Sequence, residues 1–148
     1  MSQQQPDKVR TIEQAYDDER PWGSYVVLLD SPACKVKEIT VKPGQRLSLQ
    51  SHEQRQEHWY VVSGRAAATL GKRDVSNERL ADILIPLAAG ESIEIPRGYK
   101  HRIANPGTDP LVFIEVQTGD YFGEDDNTRY EDDYDRPSPK RESSGEGS

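Results

Sequence analysis

Residues 46–52, RLSLQSH, put a polar row and a mainly apolar row of side chains back to back on one short segment. On an extended strand successive side chains point to opposite faces, so Arg46, Ser48, Gln50 and His52 share one face while Leu47, Leu49 and Ser51 share the other. A strand lining a plain apolar core does not carry such a polar face, whereas a barrel with a ligand-filled lumen does. The surrounding chain fits a barrel. From Tyr25 onward, short runs rich in Val, Ile and Leu are broken by turn sequences at Lys42-Pro43-Gly44, Ser63-Gly64, Pro96-Arg97-Gly98 and Asn105-Pro106-Gly107. This spacing predicts strands over 24–29, 35–41, 46–52, 57–63, 65–70, 82–86, 92–95, 101–104 and 111–117. No segment of helical period is long enough to cross between parallel strands, so an all-β domain with antiparallel pairing is expected.

The 148 residues suffice for one domain, and its limits are read from polarity. Only 33% of the residues are hydrophobic and 30% are charged, with the most polar stretches at the ends. Residues 1–19, which carry Asp17-Asp18-Glu19, are expected to form a flexible arm with at most a helical turn near Ile12 to Tyr16. Residues 137–148, PSPKRESSGEGS, lack any apolar anchor and are expected to be disordered, leaving 20–136 as the folded domain. A net charge of −7 argues against a nucleic-acid partner, although a few arginines focused in a cleft can still hold a phosphorylated small molecule. The start MSQQQPDKVR has no signal-peptide core, no run approaches the ~20 apolar residues of a membrane span, and Cys34 is the single cysteine. These features point to a cytoplasmic protein with no membrane partner.

Two longer segments carry the chemistry. The first, Gly44 to Gly64, reads GQRLSLQSHEQRQEHWYVVSG; the second, Gly90 to Asn105, reads GESIEIPRGYKHRIAN. Their spacings match the paired motifs of the cupins: Gly44, Gln50, His52, Glu57 and Gly64 in one, and Gly90, Pro96, Gly98, His101 and Asn105 in the other. The resemblance implies a double-stranded β-helix, or jelly-roll barrel. Residues two apart on a strand project side by side, a hairpin returns Glu57 beside them, and a distant strand adds His101, so Gln50, His52, Glu57 and His101 are expected to hold one divalent metal. Imidazole, amide and carboxylate donors suit zinc first, with manganese, cobalt, nickel or iron as alternatives. Gln as first ligand favours a Lewis-acid role over dioxygen chemistry. His58 alternates with Glu57 and should point outward, and Trp22, Trp59 and Tyr99 are expected to serve packing.

The runs RPWGSY at 20–25, VKPGQRLSLQSHEQRQEHWYVVSG at 41–64, IPRGYKHRIANPG at 95–107 and IEVQTGDYFGEDDNTRYEDDYDR at 114–136 closely resemble the type II phosphomannose isomerase cupin. That family forms the C-terminal part of bifunctional mannose-6-phosphate isomerase/mannose-1-phosphate guanylyltransferases and also occurs as short free-standing proteins. The resemblance implies a metal-dependent isomerase that interconverts mannose 6-phosphate and fructose 6-phosphate through a cis-enediol. In that reading Glu115 is the general base and Arg129 acts in catalysis. Arg46 and Lys100 join Arg129 as phosphate contacts, and Ser48 and Gln117 bind substrate. The acidic stretch Glu124 to Asp135 would then fold back over the barrel mouth. Two departures stand out: His52-Glu53-Gln54 where the family shows three consecutive histidines, with alternation turning Gln54 inward, and Asp135 where the family has Gly. The competing functions are a sugar- or sugar-phosphate-binding cupin without turnover, and an oxygenase or epimerase on the same barrel. Exposed strand edges on such barrels are commonly buried between subunits, so a homodimer is expected.

Overall fold

Alternation of polar and apolar residues is carried through into the sheets of the computed structural model, which describes residues 18–71 and 82–133. The strands are β1 (Asp18–Arg20), β2 (Gly23–Asp30), β3 (Cys34–Val41), β4 (Leu49–Ser51), β5 (Arg55–Ser63), β6 (Arg65–Gly71), β7 (Ile83–Ala88), β8 (Ser92–Ile95), β9 (Lys100–Ala104), β10 (Leu111–Gly119) and β11 (Thr128–Glu131). They form a six-stranded sheet in the order β1-β2-β3-β10-β5-β8 and a five-stranded sheet in the order β11-β4-β9-β6-β7. Every strand pairing is antiparallel, and the described residues contain no helix.

The inward faces build one core. Ile39 and Val41 of β3, Trp59 and Val61 of β5, Ala66 and Ala68 of β6, Ile103 of β9, and Leu111 and Phe113 of β10 are all buried and belong to one cluster. Burial of an aliphatic or aromatic side chain of this size stabilises a fold by about 1.5–3 kcal/mol, so this cluster dominates the favourable side of folding. Toward one end of the barrel the same inward rows change from apolar to polar: Lys37 precedes Ile39, Glu57 precedes Trp59, and Glu115 and Gln117 follow Phe113, all of them buried. The core thus grades into a polar lumen. Gly64 closes the β5–β6 hairpin with φ +89°, where a Cβ would lie 2.6 Å from the Pro110 carbonyl oxygen, so both backbone angle and space require glycine.

The structure departs from the sequence reading at four places. The strand predicted over 46–52 is interrupted. Arg46 pairs with Ala104 and Gln50 with His101, so four steps on one strand answer three on the other, which is a one-residue bulge. The strand predicted over 57–63 begins two residues earlier, at Arg55. Asp18–Arg20 pairs with β2 as a strand, so the sheet begins inside the expected arm, and Thr128–Glu131 adds a strand that periodicity did not predict. The remainder of the arm and the tail at 137–148, together with Asp135, lie outside the described residues.

Candidate metal centre

Three strands and a loop bring the site together. His52 follows β4, Glu57 lies on β5, and His101 on β9 sits in register opposite Gln50. Gly98 donates its N–H to the His52 carbonyl at 2.7 Å, tying the two sequence motifs to each other. His52, Glu57 and His101 are buried, and one ligand atom from each falls within 4.8 Å of the others.

The orientation of both rings is fixed from behind. His52 Nδ1 lies 2.7 Å from the Asp126 carbonyl and His101 Nδ1 lies 3.0 Å from the Tyr99 carbonyl. A carbonyl only accepts, so each Nδ1 carries the proton and each Nε2 turns a lone pair toward the centre. His52 Nε2 is 3.3 Å from Glu57 Oε2, and His101 Nε2 is 3.8 Å from Glu57 Oε1. Arg55 donates to Glu57 Oε2 and lies 3.2 Å from His52 Nε2, and two imidazoles with a carboxylate are the donors of a divalent-metal site. Trp59 completes the support by donating Nε1–H to Glu57 Oε1 at 3.0 Å while its ring meets His101 edge-on.

Electrostatics match this arrangement. Burial pushes the Glu57 carboxyl up, but its neighbours His52, His101 and Arg55 outweigh burial and hold Glu57 well below the usual carboxylate range. Burial pushes His101 down to about 4 against the pull of Glu57, so its ring is neutral and able to ligate. Glu115 behaves in the opposite way: burial, reinforced by the charge of Glu57, raises it to about 7 against Lys37, Arg55 and the hydrogen bond from Gln117. Lys37 keeps its charge in spite of burial because Glu115 and Glu124 face it.

An open-mouthed cleft leads to the centre. Its walls include Ser48, Gln50, Glu57, His101 and Glu115, together with the cations Arg20, Lys37, Arg55, Arg102 and Arg129. Gln50 reaches the wall with its amide nitrogen donating to Ser48 Oγ at 3.0 Å, and Arg129 Nε donates to the same hydroxyl at 3.3 Å. Strand β11, paired with β4, places Arg129 opposite Gln50, so the described part of the acidic segment, Glu124 to Asp133, returns to the cleft wall.

Three expected contacts are not on the cleft wall. Arg46 points away, 45% exposed, and makes a forked pair with Asp133 at 2.8 and 2.9 Å; the bulge after it turns its side chain off the inward face. Lys100 precedes the inward His101 on β9, and its ammonium lies over the Tyr130 ring. Gln117 is fully buried behind the wall and donates to Glu115 at 2.6 Å, which makes it a support for that carboxyl. Gln54 is exposed, as is Glu53, and their backbone N–H groups donate to the Asp126 carboxylate at 2.9 and 3.0 Å. The departure from the triple histidine therefore removes no donor from the centre.

Arg55, Lys37 and Arg20 line the cleft without having been singled out in the sequence. Arg55 alternates with Glu57 and Trp59, and Lys37 with Ile39 and Val41, so inward alternation carried two residues further would have found both. Arg20 lies on a strand hidden in the polar start, and Asp126 orients His52 through its backbone carbonyl; neither leaves a signal in composition.

The fold and donors define this protein as a cupin, a double-stranded β-helix barrel with a buried two-histidine, one-carboxylate centre suited to a divalent metal. The chain belongs to the mannose-6-phosphate isomerase C-terminal family, whose model matches residues 6–132. It is 49% identical over 117 residues to the xanthan biosynthesis protein XanB of Xanthomonas campestris, covering 79% of this chain and 23% of that protein. It is 44% identical over 115 residues to mannose-1-phosphate guanylyltransferase 2 of Escherichia coli O157:H7, covering 78% of this chain and 22% of that protein. The chain thus spans less than a quarter of the curated relatives it matches.

Among solved structures, a double-stranded β-helix protein of Klebsiella pneumoniae superposes with TM-score 0.66 at 22% identity, over 88% of this chain and 98% of that one. Oxalate decarboxylase of Bacillus subtilis, described with Mn(II) centres, superposes with TM-score 0.62 at 25% identity, over 75% of this chain and 29% of that one. The expectation of a free-standing mannose 6-phosphate/fructose 6-phosphate isomerase is overturned by the curated relatives. Their names assign polysaccharide biosynthesis or guanylyl transfer to whole proteins of which this chain matches under a quarter, so no whole-protein reaction transfers to it. Among the described residues no helix is long and apolar enough to cross a membrane.

Proposed function

We propose that this chain is a metal-centred cupin of polysaccharide-precursor biosynthesis that binds a phosphorylated sugar in its cleft and carries out proton transfer on it. The observation that carries the reading is the charge inside the cleft. Five cationic side chains, Arg20, Lys37, Arg55, Arg102 and Arg129, outnumber the carboxylates Glu57, Glu115 and Glu124 on its walls, in a chain of net charge −7. Such an inversion of local charge favours a dianionic ligand.

His52, Glu57 and His101 would hold the ion, with Gln50 beside them. A divalent ion there supplies Lewis-acid polarisation of a ligand oxygen. Zinc suits the mixed nitrogen and oxygen donors, and manganese is favoured by the likeness to oxalate decarboxylase. Arg129, aligned by Ser48, binds the phosphate, and Glu115 holds the mobile proton on its carboxyl, kept in place by Gln117 and faced by Lys37. The protein is further proposed to work in the cytoplasm as a homodimer. Ile83 and Leu84, 59% and 67% exposed on the edge strand β7, favour pairing between copies.

Isothermal titration of metal-loaded protein with a hexose 6-phosphate and with the same hexose unphosphorylated tests the reading. Charge-assisted bonds from arginine predict affinity at least about tenfold higher for the phosphorylated sugar. Equal affinity for the two, or none for either, contradicts it. Incorporation of solvent deuterium into the bound sugar, lost in Glu115→Gln while binding remains, tests the proton-transfer step.

A further inference from the structure

Arg55 stands where two sites meet. Its Nε donates to Glu57 Oε2 at 3.2 Å and its Nη2 lies 3.2 Å from His52 Nε2. Those are two of the atoms through which a metal would be held. The third nitrogen, Nη1, is buried and has no hydrogen-bond partner among the described residues. The side chain is 5% exposed, and it also lines the cleft near Lys37 and Glu115. A buried guanidinium with an unmatched donor is costly, and an oxygen-rich anion in the cleft is the partner that would satisfy it.

We propose that Arg55 couples the two ligands of this pocket: it competes with the metal for Glu57 Oε2 and His52 Nε2, and once released from them it donates to an oxyanion in the cleft. The inference rests on the reading of the pocket as a metal centre with a phosphorylated ligand. An ion arriving at Glu57 and His52 would displace the guanidinium from the same atoms, and the displaced cation, whose Nη1 already lacks an acceptor, would take an anion in the cleft. Each ligand therefore raises the affinity for the other, by equal factors. A purely supporting Arg55 behaves differently, since its loss would loosen Glu57 and weaken the metal.

The test is a titration of Mn²⁺ followed by the EPR signal of the free ion, with and without inorganic phosphate at constant ionic strength. Wild type, Arg55→Met and Arg55→Lys are compared, each checked for folding by its circular dichroism melt. Without phosphate, Arg55→Met is expected to bind Mn²⁺ about tenfold more tightly than wild type, because the competing guanidinium is gone. Arg55→Lys, which keeps the charge but loses the planar fork, is expected to fall between them. Phosphate is expected to tighten Mn²⁺ binding in wild type by a factor about fivefold larger than in Arg55→Met, the margin that separates coupling from direct phosphate–metal contact. Equal or weaker binding by both variants overturns the inference, as does a phosphate effect that is the same in all three proteins. If Arg55→Met fails to fold, Arg55→Lys against wild type decides by the same criteria. Wild type that takes up no Mn²⁺ overturns the metal reading together with this one.

Discussion

Gln117 donates a 2.6 Å hydrogen bond from its side-chain amide to the Glu115 carboxyl, two residues away on the inward face of β10. This bond, Lys37 and Arg55 all favour the ionised carboxylate, yet burial and the charge of Glu57 prevail and raise Glu115 from 4.5 to about 7. A carboxyl raised in the folded state contributes stability that is fully present below about pH 4.5 and is lost as pH rises through about 7. Glu115→Gln does not titrate, so metal-free variant and wild type should diverge between those limits. The variant should gain up to about 3 kcal/mol on wild type between pH 4 and pH 8. Urea denaturation in the presence of a chelator measures it, and a difference that stays constant with pH would refute the environment assigned to Glu115.

Trp59 holds one oxygen of Glu57 through its indole N–H and packs edge-on against both His101 and Phe113. Trp59→Phe keeps most of the packing and deletes the donor. The expected result is metal affinity lower by about tenfold, as for other groups that orient a ligand from behind, with a stability loss of about 1–2 kcal/mol. Competition against a chromophoric chelator reads the affinity, and an unchanged value would mean that Glu57 needs no such support.

Arg46 and Arg129 should behave oppositely, although the sequence suggests phosphate contact for both. The exposed Arg46–Asp133 pair is worth at most about 1 kcal/mol, and Arg46→Ala should leave sugar-phosphate affinity unchanged. Arg129→Ala removes a cation from the cleft wall and should weaken that affinity by about tenfold or more. Titration of both variants with one hexose phosphate makes the comparison. Weakening by Arg46→Ala would show that β4 and its flank adopt a different register.

Much of this site is legible in the amino-acid order because its geometry is local. Ser48, Gln50 and His52 lie on one short segment, Glu57 is one hairpin away, and His101 follows a turn fixed by Pro96 and Gly98. Alternation fails at Arg46 because counting by twos assumes an uninterrupted ladder, and a bulge inserts one residue that no side chain announces. Arg55 and Lys37 escape because charged residues on a strand are read by default as solvent-facing, whereas here each sits in the polar lumen beside a carboxylate. Strand β11 escapes for a different reason: its pairing with β4 spans more than seventy residues of sequence, and its acidic composition resembles a solvated tail.

The buried centre formed by His52, Glu57 and His101 is the element on which the rest depends. Equilibrium dialysis against zinc or manganese, followed by elemental analysis of wild type, His52→Ala and His101→Ala, examines it directly. The account predicts a single ion bound per wild-type chain and its loss in both variants while the barrel stays folded. Equal metal uptake by the wild type and the variants, or no uptake by folded wild type, would contradict it.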